Sequence, residues 1–229
     1  MGKGIGGLNL DWSIAIKSLP FLISGMKWTV VIALVGLVFG FLIGAIAGLA
    51  RTSKHKIIYA LGTIYVEAIR GTPILVQAVY LYFGLNQILL QTTGWKIDSI
   101  PAGIIAISIN SGAYIAEIVR GAIQSIEKGQ VEAGRSLGLS QFKTFIYIVW
   151  PQAFKRMIPP LGNQFIISLK DTSLFSVIAV GELLRQGQIV VSATFAAFEI
   201  YTVVAVLYLI MILCISAVLR RVERRLDVS

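Results

Sequence analysis

Five apolar runs, at residues 21–50, 57–90, 101–120, 157–181 and 196–219, constrain this chain more than any other feature. Each is long enough to cross roughly 30 Å of hydrocarbon as an α-helix. Lipid offers backbone amides no partner, so segments of this kind satisfy themselves as helices. The expected fold is therefore an all-α membrane protein with five transmembrane helices. Hydrophobic residues make up 56% of the chain, and no soluble block of domain length remains outside the runs. Residues 1–229 thus form one membrane domain.

The formal charge of +9 gathers at the ends of apolar runs, as Arg51, Lys54 and Lys56, then Arg120 to Arg156, then Arg220 to Arg225. Nucleic acid is not the partner this distribution suits; it suits a membrane whose cytoplasmic face attracts the positive loops. Five spans then put the N-terminus outside, the C-terminus in the cytoplasm, and the loops near Lys96 and Arg185 outside. A sixth span, made by splitting the second run at Arg70-Gly71-Thr72-Pro73, would force the Arg220 cluster outside and is the weaker reading. Residues 1–20, where Leu8, Leu10, Trp12, Ile14 and Ile16 alternate with other positions up to Pro20, are expected to form an interfacial anchor. The single cysteine, Cys214, and the single histidine, His55, exclude an internal disulfide and offer no Cys/His metal site.

Gly36, Gly40, Gly44 and Gly48 recur every four residues in the first run and predict a bare ridge for close helix packing. Polar residues at depth are the second signal. At 1.5 Å per residue, Glu67 lies ~15 Å and Arg70 ~20 Å into the second span, Asn110 and Ser111 ~15 Å into the third, and Asn163 ~9 Å and Asp171 ~21 Å into the fourth. A charge at such depth costs roughly 2.5 to 3.5 kcal/mol, so these groups either pair or line a wet cavity. Glu67 with Arg70 and Glu117 with Arg120 are spaced to neutralise themselves. Pro73 cannot donate to the carbonyl of Ile69 and breaks the helix there, which predicts freed carbonyls beside Glu67 and Arg70.

Between the third and fourth runs, residues 129–151 read as a polar knob. A short helix from Gln130 to Leu137 is expected to end at Gly138 in the left-handed conformation, with Ser140 capping a second helix. Small residues Ala133 and Gly134 would let a partner approach, and Glu132 and Arg135 would orient it.

The order Glu132-Ala133-Gly134, then Gly138, then an apolar stretch ending at Pro151, resembles the cytoplasmic coupling loop of permease subunits of ATP-binding-cassette importers, with Gly134 where Ala is usual. The runs Arg70-Gly71-Thr72-Pro73-Ile74-Leu75-Val76-Gln77, Ser111-Gly112-Ala113-Tyr114-Ile115-Ala116-Glu117, Pro159-Pro160-Leu161-Gly162-Asn163 and Leu169-Lys170-Asp171-Thr172-Ser173-Leu174 resemble the branch that carries polar amino acids. This resemblance implies a type I importer permease in a bacterial inner membrane. Implied partners are a second permease subunit, identical or homologous, a cytoplasmic ATPase dimer engaged through Glu132, Ala133, Gly134 and Gly138, and an external solute-binding protein. ATP and Mg would reside on the ATPase, because no Gly-x4-Gly-Lys-Ser/Thr cradle occurs here. The chain itself is then no enzyme and binds no cofactor.

For the ligand, Arg70 is expected to meet an α-carboxylate, Asn110, Ser111 and Asn163 to supply hydrogen bonds, and Glu67 and Asp171 to receive an ammonium or a cationic side chain. Two carboxylates favour arginine, lysine or histidine. Glutamine or glutamate is the alternative cargo, and an ion-coupled stand-alone transporter is the rival class.

Overall fold

The computed structural model describes residues 10–226. Eight helices follow one another: α1 (Trp12–Ala50), α2 (Lys56–Arg70), α3 (Ile74–Thr93), α4 (Ser99–Gln124), α5 (Lys128–Ser136), α6 (Gln141–Ile178), α7 (Leu183–Thr194) and α8 (Ala197–Arg225). Four of them, α1, α3, α4 and α8, are each long and apolar enough to cross a membrane. The fifth candidate span is α6 with α7, which pass the same test together and are bent by 44° at a short break. The fold is that of an all-helical membrane protein with five spans, as the apolar runs require.

Three boundaries differ from the sequence reading. The stretch 12–20 is not a separate interfacial segment but the first turns of α1, a helix of 39 residues with Pro20 inside it; residues 1–9 of that anchor lie outside the described residues. The start of α1 is tied down by the Asp11 side chain, which accepts from the Ser13 amide, and by the Asp11 N–H, which donates to Glu199 Oε1 at 2.8 Å. Trp12 meets Phe198 edge-on, so the beginnings of α1 and α8 lie side by side.

The second difference is in the run 57–90. It breaks where Pro73 requires, but only α3 has the length and apolarity of a span, while α2 is a 15-residue helix with just Gly62 and Val66 buried. The third is the expected loop near Arg185, which is helical. Glu182, fully buried, accepts from the amides of Leu184 and Arg185 at 2.9 and 2.7 Å and from the Tyr208 hydroxyl at 2.7 Å. It caps α7 and fastens the break to α8, which is why the chain continues as helix there and not as a surface loop.

The glycine ridge of α1 packs on α4. A Cβ placed at Gly44 would lie 2.7 Å from the Gly112 carbonyl oxygen, and one at Gly48 2.7 Å from that of Ala116. Such approach brings backbone against backbone, and dispersion between close surfaces is the main attraction between helices in lipid. The core follows this seam, with Ile32, Ile107, Ile115 and Val119 wholly buried along it. Arg51 closes the seam at one end by donating to Glu117, and Arg156 of α6 donates to the Ser125 hydroxyl at 2.9 Å at that same end of α4.

Candidate functional site

The break between α2 and α3 opens onto a cavity of about 550 Å³, lined by Arg70 of α2, by Gly71, Thr72 and Pro73 of the turn, by Ile74 at the start of α3, by Asn110 and Tyr114 of α4, and by Gln164, Ile167 and Asp171 of α6. Arg70, Asn110 and Asp171 are thus brought together from three helices. The Arg70 guanidinium stands over the Tyr114 ring, 5.3 Å from its centre, a cation–π contact that holds the charge at the cavity wall. Asp171 makes no hydrogen bond or ion pair among the described residues, so its carboxylate is left to whatever fills the space.

Glu67, Ser111 and Asn163 lie elsewhere. Glu67 is largely exposed and sits 3.6 Å from Arg51, so it does not pair with Arg70. Ser111 is 1% exposed and its hydroxyl presses on Gly40 in the α1 seam without a hydrogen-bond partner among the described residues. Asn163 faces a smaller pocket with Ser216, Leu219, Arg220 and Glu223 of α8. The cause is azimuth. At about 100° per residue, Asn110 and Tyr114 share one face of α4 while Ser111 is a quarter turn away, and Gln164 is in line with Asp171 while Asn163 is not. Tyr114 and Gln164 are cavity residues that depth does not single out; register assigns them to the faces of Asn110 and Asp171 once the packing of α4 and α6 turns those faces inward.

The carbonyls expected to be free at the break are not. Gln77, one turn beyond Pro73, donates its amide to the carbonyls of Ile69 and Thr72 at 2.8 and 3.0 Å, and its own carbonyl accepts from Asn110 Nδ2 at 3.1 Å. This converts a backbone defect into a rigid wall and leaves Asn110 Oδ1 for a ligand.

The two expected ion couples are one cluster. Glu117 accepts from Arg120 at 2.8 and 3.2 Å and from Arg51, and lies 3.8 Å from Arg70. Behind the cavity, therefore, three guanidinium groups share two carboxylates.

The knob is built as its sequence requires, with one change. Helix α5 ends before Gly138, whose φ of +80° is left-handed, and Ser140 Oγ accepts from the Lys143 amide. The helix that Ser140 caps is not short, because it runs on through a π-helical stretch, Phe145–Val149, into the long α6. Gly134 is buried against Ile148 and Thr144, so it serves the knob's own packing, whereas Glu132 and Ala133 are exposed. Arg135 bonds the Leu139 carbonyl at 3.0 Å and so closes its own turn. Leu137 and Phe142 protrude at 82% and 74% exposure, large apolar groups on a tip that needs a partner to cover them.

Residues 40–228 match the family described as the binding-protein-dependent transport system inner membrane component. The chain belongs to this family. It is 49% identical over 96% of its length to the whole of the glutamine transport system permease protein GlnP of Escherichia coli K12. The L-cystine permease TcyB and the arginine permease ArtQ, both of Bacillus subtilis, are 38% and 33% identical over 96% of the chain and cover 93% and 98% of those proteins. A crystal structure of an amino-acid ABC transporter with histidines superposes with a TM-score of 0.87 at 39% identity, over 95% of this chain and all of that one. The inward-facing methionine transporter MetNI superposes at 0.78 over 92% and 98%, and at 19% identity it shows the fold alone. The permease is thus the membrane subunit of a bacterial amino-acid ABC importer, multi-pass and of the type I fold. Such subunits hydrolyse nothing themselves; the ATPase is a separate chain, and a binding protein and a second permease complete the family's machinery.

Proposed function

We propose that the cavity between Arg70 and Asp171 carries the amino acid through the membrane, and that the cargo is glutamine. The observation that supports this is the charge balance of the wall: one guanidinium and one unpaired carboxylate, with amides at Asn110 and Gln164. A neutral zwitterion with an amide side chain satisfies all of them. Its α-carboxylate meets Arg70, its ammonium meets Asp171, and its side-chain amide exchanges hydrogen bonds with Gln164. Arginine, lysine and histidine were favoured by a second carboxylate, but Glu67 sits outside the cavity beside Arg51. The 49% identity to a glutamine permease points the same way.

The N-terminus lies outside and the C-terminus in the cytoplasm in this reading, which puts Arg51, the knob and the Arg220 cluster on the positive-inside face. Leu137 and Phe142 then seat in a groove of a cytoplasmic ATPase dimer that binds ATP and Mg. The breaks at Gly71–Pro73 and Ala179–Glu182 are where the helices change angle when that dimer closes. A second permease subunit completes the pathway, and an external binding protein delivers the cargo.

The deciding experiment is uptake by the complex reconstituted with its ATPase and binding protein in proteoliposomes. Labelled glutamine should accumulate with ATP and be displaced weakly by arginine. Uptake of arginine in preference to glutamine would replace the cargo with a basic amino acid, and uptake driven by an ion gradient without ATPase would overturn the mechanism.

A further inference from the structure

We infer that Arg120, a residue that does not touch the cavity, sets the ligand affinity of the permease by keeping Glu117 from hydrogen-bonding to Arg70. The inference rests on the cavity reading above. Arg120 grips both oxygens of Glu117, Nε on Oε1 at 3.2 Å and Nη2 on Oε2 at 2.8 Å, and is itself anchored by Nη1 on Gln124 Oε1 at 2.7 Å. Arg51 adds a further donor to Oε1. The carboxylate is already engaged at both oxygens, and Arg70 Nη1 stays 3.8 Å from Oε2, within ion-pair range but short of a hydrogen bond.

The consequence is a guanidinium with unspent donors at the cavity wall. Across Arg51, Arg70 and Arg120 against Glu67 and Glu117, three positive charges face two negative ones. An arriving carboxylate supplies the missing charge. Were Arg120 absent, Glu117 Oε2 would be free to close from ion-pair distance to a hydrogen bond with Arg70, whose side chain is 40% exposed and long enough to move the short distance needed. The ligand would then compete with an internal carboxylate that is always present. Arg120 is in this sense a positioning residue, and its effect on binding passes wholly through Glu117.

The test is glutamine binding to the permease–ATPase complex in nanodiscs by calorimetry, with thermal unfolding as a check on assembly. Arg120→Met should weaken binding roughly tenfold, the size of one charge-assisted hydrogen-bond pair, and Arg120→Lys should lose less. Adding Glu117→Gln to Arg120→Met should restore binding to within about threefold of the parent, because the competitor has then been removed as well. A purely structural role would make the double variant as weak as the single or weaker. That result, or an Arg120→Met complex that binds like the parent, would overturn the inference. Arg70→Met separates the two readings: if the parent binds glutamine and Arg70→Met binds it equally well, the cavity assignment itself is wrong and the inference falls with it.

Discussion

Gln77 spans the break between α2 and α3 by donating to the Ile69 carbonyl at 2.8 Å, the bond that Pro73 cannot make. A discontinuous helix in lipid is tolerated only where something else satisfies the orphaned groups. Here one amide serves two carbonyls. Gln77→Leu should therefore destabilise the permease by about 1 to 3 kcal/mol, read as a lowered unfolding midpoint of the complex. Gln77→Glu, which removes the donors and keeps the shape, should do no better. A midpoint unchanged in both variants would mean that water already serves these carbonyls.

The α1–α4 seam predicts opposite signs for two glycine substitutions. Gly44→Ala drives a methyl group into the Gly112 carbonyl and Ile115 and should cost about 1 to 3 kcal/mol. Gly121→Ala, in α4 where nothing lies within 4 Å, should gain roughly 0.5 to 1 kcal/mol through the unfolded chain. Both are measured by unfolding in the same detergent, so the difference between them isolates packing from helix propensity.

The number of spans and the small-residue seam were legible because each depends on a repeat along one helix. The composition of the cavity was half legible. Depth alone brings Arg70, Asn110 and Asp171 to one level, and all three line the cavity, since 1.5 Å per residue needs no knowledge of neighbours. Azimuth does not follow from depth: Ser111 and Asn163 lie at the same level, but Tyr114 and Gln164 line the wall. Only the partner helix determines which face looks inward. Glu67 illustrates the same limit: its spacing to Arg70 suits a local pair, yet Arg51, from a different helix, draws it away. Glu182 carries no signal of burial in the sequence, because a carboxylate at a helix start looks like a solvent-facing cap until α8 is laid over it.

The knob should be separable from the fold. Leu137→Ser and Phe142→Ser remove exposed apolar groups that contact little of the chain itself, so unfolding midpoints should stay within about 0.5 kcal/mol of the parent. Stimulation of the partner ATPase by glutamine-loaded binding protein should be lost. Gly138→Ala acts differently, since its φ of +80° costs a side chain about 1 kcal/mol and distorts the turn. Retained stimulation in the Leu137 and Phe142 variants would place the docking surface elsewhere.

The sharpest contrast in cargo recognition lies between two carboxylates that the sequence treats alike. Asp171 faces the cavity with no partner of its own among the described residues, and Glu67 leans on Arg51 away from it. In the proposed pose a ligand ammonium gains a charge-assisted hydrogen bond from Asp171 and nothing from Glu67. Asp171→Asn should therefore weaken glutamine binding roughly ten- to a hundredfold, while Glu67→Gln should leave it within about threefold of the parent. Calorimetric titration of the two complexes, compared with the parent, measures both. The asymmetry matters more than either value: if Glu67→Gln matched Asp171→Asn in its effect, both carboxylates would be in contact with cargo, the cavity would carry an excess negative charge, and a basic amino acid would be the better occupant.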